Sequence, residues 1–143
     1  MSIAGDDPAP WNLLHDGTVT ALAREADTLL VTIDVPYVRV RFGGTGTFVL
    51  RLAGCDGISY QPYDEPLLYE LDAIASSQPD LDVTSFQGGA IVVSGNAGVM
   101  RLRYANLAIT LDTGAEVTLA ELDAHVRSYR DDWSARTEPR GSS

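Results

Sequence analysis

The most regular feature of the chain is an alternation of apolar and polar residues with a period of two. This pattern is typical of β-strands that bury one face, because successive side chains on a strand point to opposite sides. Apolar residues alternate most clearly at Leu29, Val31, Ile33 and Val35. The same pattern, or a run of β-prone residues, predicts about eight strands, at residues 18–23, 28–35, 37–42, 47–53, 81–86, 90–94, 99–104 and 107–111.

Turn signals separate these strands. The apolar parity changes beyond Pro36, which indicates a bulge or corner, since a strand cannot change phase without an inserted residue or a turn. Glycine-rich segments at residues 43–46, 88–89 and 95–98 have the chemistry of hairpin turns. A further parity change predicts a turn or bulge at residues 105–106. Because the connections are short, we expect strands that are neighbours in sequence to pair.

Two segments have helical spacing instead. Pro66 suits the first position of a helix, and the apolar residues after it recur at helical intervals up to Ser76. Thr118 and Glu121 have the spacing of a capping box, which predicts a C-terminal helix that runs to about Trp133. The apolar residues of this helix form one stripe, and we expect that stripe to pack on the sheet.

Together these elements predict an α+β fold: mainly antiparallel strands in a bent or barrel-like sheet, with one internal helix and a C-terminal helix. The length of 143 residues suits one domain. We expect a flexible leader at residues 1–10, a single globular domain at residues 11–134 and a flexible tail at residues 135–143. Residues 54–65 have no clear period and predict a long loop, a kind of segment that often carries function.

The chain is strongly acidic. Twenty acidic residues against ten arginines and no lysine give a formal charge of −10 and an isoelectric point near 4.4. Such a chain repels phosphate backbones, so we expect no nucleic-acid binding unless a basic patch is segregated. The charge favours a basic partner, or it is the ordinary acidity of a bacterial cytosolic protein.

Cys55 is the only cysteine, so the chain cannot form an intramolecular disulfide bond. Its N-terminus lacks the basic and then apolar pattern of a secretory signal. Its longest apolar runs are far too short to span a membrane. We therefore expect a cytoplasmic protein with no cofactor and no membrane association.

Candidate catalytic chemistry is sparse. The segment from Trp11 leads into the first strand, and His15 with Asp16 lies at the turn before it. His15 could act as a general base oriented by the Asp16 carboxylate, or the two residues could bind a metal ion. We favour a third interpretation, in which His15 is a turn residue that hydrogen-bonds to the backbone, because neighbouring side chains on an extended chain point to opposite faces. Cys55 with His15 as its base is the one thiol-enzyme arrangement available. Asp56 beside Cys55 opposes the depressed pKa that a nucleophilic thiolate needs. The sequence therefore predicts no enzyme and no metal site.

The arginines form two outward-facing pairs, Arg39 with Arg41 and Arg101 with Arg103. On adjacent strands these pairs would make a patch of four guanidinium groups able to hold a phosphate or a carboxylate. The excess of acid favours the alternative, in which they pair across strands with carboxylates such as that of Asp34.

The residues Leu14, His15, Asp16, Gly17 and Val19 resemble the start of several small bacterial families. These families include immunity proteins of polymorphic toxin systems and domains with no assigned role. The resemblance implies a small binding protein and implies no catalytic residues.

Three functions follow from these observations. The first is a non-enzymatic protein-binding domain, an immunity-like antagonist of a basic partner; the alternatives are a small-molecule-binding β-rich domain and the thiol enzyme. Ligand binding predicts a sizeable apolar cavity, whereas partner binding predicts a filled core and an exposed aromatic and acidic surface. The predicted partner-binding residues all lie between residues 54 and 65 and are Asp56, Tyr60, Tyr63, Asp64 and Glu65.

Overall fold

The computed structural model describes residues 3–14, 17–35, 47–111 and 113–124. In these ranges the chain is mainly antiparallel β with short helices, which confirms the predicted α+β class. No helix in this part of the chain is long and apolar enough to cross a membrane. The strands are β1 (Ile3–Ala4), β2 (Thr18–Glu25), β3 (Thr28–Asp34), β4 (Thr47–Ala53), β5 (Gly57–Pro62), β6 (Val83–Gln87), β7 (Ala90–Ser94), β8 (Gly98–Arg103), β9 (Asn106–Leu111) and β10 (Glu116–Val117); the helices are α1 (Ala9–Leu13), α2 (Leu71–Ser76) and α3 (residues 119–124).

The strands form two sheets. The larger sheet has the order β1-β9-β4-β3-β2, and β10 also pairs with β9. β1 and β10 lie end to end along β9, because Ile3 pairs with Leu107 and Val117 pairs with Ile109. The smaller sheet has the order β5-β8-β7-β6. The pairs β2–β3, β6–β7 and β7–β8 join neighbours in sequence, as expected. The pairs β4–β9 and β5–β8 instead join strands that are distant in sequence, because β4 and β5, like β8 and β9, lie in different sheets.

One ladder of paired strands runs from the larger sheet into the smaller one. β4 and β9 pair as far as Ala53 and Asn106, and β5 and β8 continue the pairing from Gly57 and Arg103. Gly54 lies in the kink between the two parts and has a φ of +66°, a conformation that favours glycine. The strand pairing is interrupted at residues 54–56 and 104–105, and there the chain passes from the larger sheet to the smaller one.

A second junction joins the sheets on the opposite side. Thr18 of β2 pairs with Asp80, just before β6. The backbone N–H of Val19 donates to the Pro79 carbonyl at 2.8 Å, and that of Leu81 donates to the Gly17 carbonyl at 2.9 Å. These bonds hold the edge of the smaller sheet against the edge of the larger one, so the two sheets enclose a common core.

The core is filled by apolar side chains from both sheets and from the helices. Alternate residues of the central strands are buried, as period two requires. The largest fully buried side chains include Trp11, Leu14, Leu29, Ile33, Phe48, Leu50, Leu52, Ile74, Leu81, Ile91 and Met100. Trp11 comes from α1, and its indole Nε1–H donates to the Tyr104 hydroxyl at 2.8 Å.

Secondary structure begins earlier than the predicted domain boundary at residue 11. Ile3 and Ala4 of the expected leader pair with β9, because the edge of that strand offers unpaired backbone groups. The segment around Trp11, expected to be a lead-in to the first strand, is the helix α1. Its first amide, that of Ala9, donates to an Asp7 carboxylate oxygen at 2.9 Å, and Pro10 suits the first turn.

Two further predictions are wrong in detail. The expected loop at residues 54–65 contains β5, which the edge of β8 stabilises through backbone pairing. The internal helix begins at Leu71 rather than at Pro66. Residues before it are extended, because Leu68 exchanges backbone hydrogen bonds with Tyr60 of β5, at 2.8 and 2.9 Å. Sheet pairing thus overrides the helical spacing of the leucines.

The predicted capping box of the last helix is confirmed. The Glu121 N–H donates to the Thr118 hydroxyl oxygen, and the Thr118 N–H donates to a Glu121 carboxylate oxygen, both at 3.1 Å. Other predictions lie outside the described residues: those on His15 and Asp16, on Pro36 and the hairpin at residues 43–46, and on the end of the helix near Trp133.

Tyr104 gives the fold an expected dependence on high pH. Burial raises the pKa of its phenol to about 12, and the hydrogen bond from Trp11 opposes this shift. The unfolded chain, with an ordinary tyrosine pKa near 10, loses this proton first as the pH rises. We therefore expect stability to fall between pH 10 and 12 by roughly 2 kcal/mol. Urea unfolding across this range should show a shallower fall for Tyr104→Phe, and equal slopes for the two proteins would contradict the assignment.

Candidate functional site

Four of the five residues predicted to bind a partner line one surface cleft, which we call the tyrosine–acid cleft. The cleft combines the end of β5 and the turn after it with residues that are distant in the sequence. Its lining consists of Tyr60, Pro62, Tyr63, Asp64, Glu65, Ser77, Asn96 and Ala97.

Strand β5 places Tyr60 on the buried side of the smaller sheet, and the following turn places Tyr63 outside. Tyr60 pairs with Met100 and is 2% exposed. The Tyr63 N–H donates to the Ala97 carbonyl at 3.1 Å, and its hydroxyl donates to the Gly95 carbonyl at 3.0 Å. Tyr63 nevertheless remains 53% exposed. Its ring is therefore both held in one orientation and accessible to a partner.

The turn that carries the two carboxylates is closed by one amide side chain. The Gln61 Nε2 group donates to the Pro62 carbonyl at 2.8 Å and to the Glu65 carbonyl at 2.6 Å. Asp64 and Glu65 themselves are exposed. Both carboxylates therefore follow Tyr63 directly in the turn and remain exposed to solvent.

The Tyr60 hydroxyl is a buried polar group without a hydrogen-bond partner among the residues that the structure describes. Burial raises the pKa of this phenol, and the nearby Asp80, Tyr63 and Glu65 add to the increase. A buried hydroxyl left unpaired costs free energy in the folded state.

The opposite wall of the cleft is fixed by Asp80. Its two carboxylate oxygens accept the Asn96 N–H at 2.8 and 3.1 Å. A Cβ atom at Gly95 would collide with the Asp80 carbonyl and carboxylate, so this loop requires glycine there. Ser77, at the end of α2, donates its hydroxyl to the Ala73 carbonyl at 3.1 Å. The wall therefore exists before any ligand arrives.

The fifth predicted residue, Asp56, lies at the other end of β5. Six strand residues separate it from Tyr63, a distance of about 23 Å for an extended chain. Asp56 forms an ion pair with Arg103 at 3.8 Å, and both side chains are largely exposed. A contact so long and so well solvated contributes little stability. The structure does not bring Asp56 into the tyrosine–acid cleft.

Cys55 has the environment of an inert thiol. It is 4% exposed, and burial raises its pKa, an effect that exceeds the opposite one of the Gly57 hydrogen bond and of Arg24. A nucleophilic cysteine needs the reverse shift, toward thiolate at neutral pH. The proposed base, His15, lies outside the described residues.

Ser77, Asn96, Ala97 and Asp80 complete the cleft but were not predicted as site residues. The one signal in the sequence was the hairpin chemistry of residues 95–98, which located a turn without indicating what it contacts. The position of Asn96 and Ala97 beside Tyr63 depends on the register of β5 with β8, in which Pro62 pairs with Gly98.

The described residues contain no group of three or more histidine, cysteine, aspartate or glutamate side chains that could hold a metal ion. The fold defines the class of the protein, a two-sheet, mainly antiparallel α+β domain with a preformed surface cleft. Comparisons with family models, curated proteins and solved structures find no match to this chain.

Proposed function

We propose that this chain is a non-enzymatic protein-binding domain whose tyrosine–acid cleft receives a basic side chain of its partner. The observation that carries the proposal is the convergence of an accessible, oriented tyrosine, two exposed carboxylates and a buried, unpaired hydroxyl in one cleft.

Each part of the cleft suits a basic partner in a different way. Tyr63 offers a rigid aromatic surface, and tyrosines are frequent among the residues that dominate binding energy. Asp64 and Glu65 attract a lysine or an arginine and accept its hydrogen bonds. Tyr60 also lines the cleft, and its hydroxyl has no hydrogen-bond partner among the described residues. An arginine, with five donors in a planar fork, matches this set best.

An immunity-like antagonist is the form of this function that we favour. The resemblance at Leu14 to Val19 and the formal charge of −10 both support an acidic cytoplasmic protein that neutralises a basic toxin. A gene for a large secreted toxin next to the gene for this chain would support the antagonist role, whereas conserved neighbours of another kind would count against it.

The small-molecule alternative requires a sizeable apolar cavity in the interior of the fold. In the part of the chain that the structure describes, that interior is occupied by large buried side chains such as Trp11, Phe48 and Met100. A filled core favours partner binding over an interior ligand site. The tyrosine–acid cleft, by contrast, lies on the surface.

The test measures binding kinetics with a partner captured from the native cell. We expect Tyr63→Ala to raise the dissociation rate at least tenfold, because hot-spot tyrosines contribute about 2 kcal/mol or more. Asp64→Asn and Glu65→Gln should mainly lower the association rate and flatten its dependence on salt. Tyr60→Phe removes only the buried hydroxyl and tests whether this group contributes to binding.

Charge-matched controls are available at the β2–β3 turn, where Glu25 and Asp27 are also exposed. Glu25→Gln and Asp27→Asn remove the same charges away from the cleft and should leave the dissociation rate unchanged. If the partner binds all the cleft variants as it binds the original protein, with folding intact, the cleft is not the binding site.

A further inference from the structure

The outer face of the smaller sheet carries a second depression, which we call the arginine face. It is lined on its charged side by Arg24, Arg101, Arg103 and Asp56, and elsewhere by residues that include Ser59, Tyr69 and Val92. Its volume is about 840 Å³, within the range of small-molecule sites. It lies on the side of β5 and β8 opposite to the buried Tyr60 and Met100.

The register of the strands aligns these residues in a row. Ser59 pairs with Arg101, and Arg101 pairs with Val92, so the three side chains lie side by side on the outer face. The bridge between Tyr60 and Leu68 places residue 69 beside residue 59 and extends the row to Tyr69. Tyr69 is 68% exposed. Two strand spacings, or about 10 Å, separate it from Arg101.

Positive charge is concentrated on this face although the chain as a whole is acidic. The structure describes four arginines, and three of them line the depression; Arg51 is the fourth. Among the described carboxylates only that of Asp56 lines it. The acidic composition of the chain predicts the opposite, a carboxylate beside each arginine.

The three guanidinium groups are only lightly engaged. Arg24 donates through Nη1 to the Cys55 carbonyl at 3.0 Å, and this leaves its other N–H groups available. The Arg103 guanidinium has only the long, solvated contact with Asp56. The Arg101 guanidinium makes no hydrogen bond or ion pair with the residues that the structure describes. Arginine N–H groups in this state are donors for a bidentate anion.

We propose that the arginine face binds a small phosphate-bearing molecule with a flat ring. The phosphate lies between Arg101 and Arg103, two residues apart on one strand and on one face, with Arg24 at the side. The ring extends along the row, over Ser59, to stack on Tyr69. Phosphate is preferred to carboxylate because two guanidinium groups, on residues whose Cα atoms are about 7 Å apart, can each engage a different pair of its oxygens.

The test is a titration of the full chain followed by NMR, with phenyl phosphate as the probe. We expect shifts of the backbone amides of β5 and β8, with saturation at millimolar or lower concentration. Arg101→Gln and Arg103→Gln should each weaken binding at least tenfold, because a hydrogen bond to a charged group is lost. Tyr69→Ala should weaken binding about fivefold through lost stacking.

Two further probes and one variant separate this proposal from simple charge attraction. Inorganic phosphate should bind more weakly than phenyl phosphate, and benzyl alcohol, which keeps a ring without the anion, should not bind. Arg51→Gln removes the same charge from the other sheet and should have no effect. The proposal is overturned if phenyl phosphate does not bind, if both phosphates bind equally, or if Arg51→Gln weakens binding as much as Arg101→Gln. None of these variants alters the tyrosine–acid cleft, so the result is independent of the proposed protein partner.

Discussion

Replacing Trp11 by alanine lowers the free energy of unfolding by about 3 to 5 kcal/mol, the largest loss we expect from a single truncation in the core. The indole of Trp11 is fully buried and belongs to the main hydrophobic cluster. Its removal leaves a cavity between α1 and the sheets, and it deprives the Tyr104 hydroxyl of its donor at 2.8 Å. Both effects act in the same direction, because a cavity and the loss of a hydrogen bond to a partly buried hydroxyl each destabilise the folded state.

Urea unfolding followed by far-ultraviolet circular dichroism measures this loss without relying on the fluorescence of the deleted residue. Trp11→Phe separates the two effects, since it retains most of the apolar volume and removes the indole N–H. In a double-mutant cycle with Tyr104→Phe, we expect a coupling of about 1 kcal/mol for the hydrogen bond. Tyr69→Ala, at an exposed aromatic residue, should change stability by less than about 0.5 kcal/mol. A loss below 1 kcal/mol for Trp11→Ala would show that α1 does not pack as the structure has it.

The sequence predicted those strands whose periodicity is undisturbed by glycine or proline. Buried residues alternate along β3 and β4, although Leu30 breaks the apolar pattern of β3, and the two strands form the centre of the larger sheet. The sequence analysis did not predict β5, although Ile58 and Tyr60 alternate with polar residues along it. The reason is that the residues at its two ends, Gly57 and Pro62, are typical of loops. Only its pairing with β8, a contact about 40 residues away, makes this segment a strand.

The start of the internal helix is the converse case, in which residues predicted to be helical are extended. Leu67, Leu68 and Leu71 have helical spacing, yet the first two are extended beside β5. A helix of two turns has little intrinsic stability, so a few backbone hydrogen bonds to a sheet edge decide the conformation. Local spacing could not reveal this, because the competing partner is supplied by the tertiary fold.

The candidate sites depend even more on tertiary register. Tyr60, Tyr63, Asp64 and Glu65 were predicted together because they are close in sequence, and the turn after β5 keeps them together. Asp56 was grouped with them by the same reasoning, and the length of β5 separates it. On the arginine face, the outward pair Arg101 and Arg103 was predicted, but its neighbours Arg24 and Tyr69 come from segments that no spacing rule connects with β8.

Replacing Gly98 by alanine lowers stability by about 3 kcal/mol, because the added methyl group has no space. Gly98 opens β8 and pairs with Pro62. A Cβ atom there would collide with the Gln61 carbonyl oxygen and would approach the Pro62 Cα and the Tyr60 Cζ to 2.9 Å. The first two are backbone atoms of a paired strand and the third belongs to a buried ring. Relief requires separation of β5 from β8 at the point where the tyrosine–acid cleft begins.

Gly57→Ala provides the matched control, since Gly57 occupies the opposite end of the same ladder, paired with Arg103. A Cβ atom at Gly57 meets no heavy atom within 4 Å, and its φ is not in the left-handed region. We expect this variant to be neutral or to stabilise the protein by up to about 1 kcal/mol, because alanine restricts the unfolded chain more than glycine does. Thermal and urea unfolding of the two variants give the comparison. Equal stabilities of the two variants would mean that β5 and β8 are not in the register described. The wall of the tyrosine–acid cleft at residues 95–97 would then also lie elsewhere, because its position depends on that register.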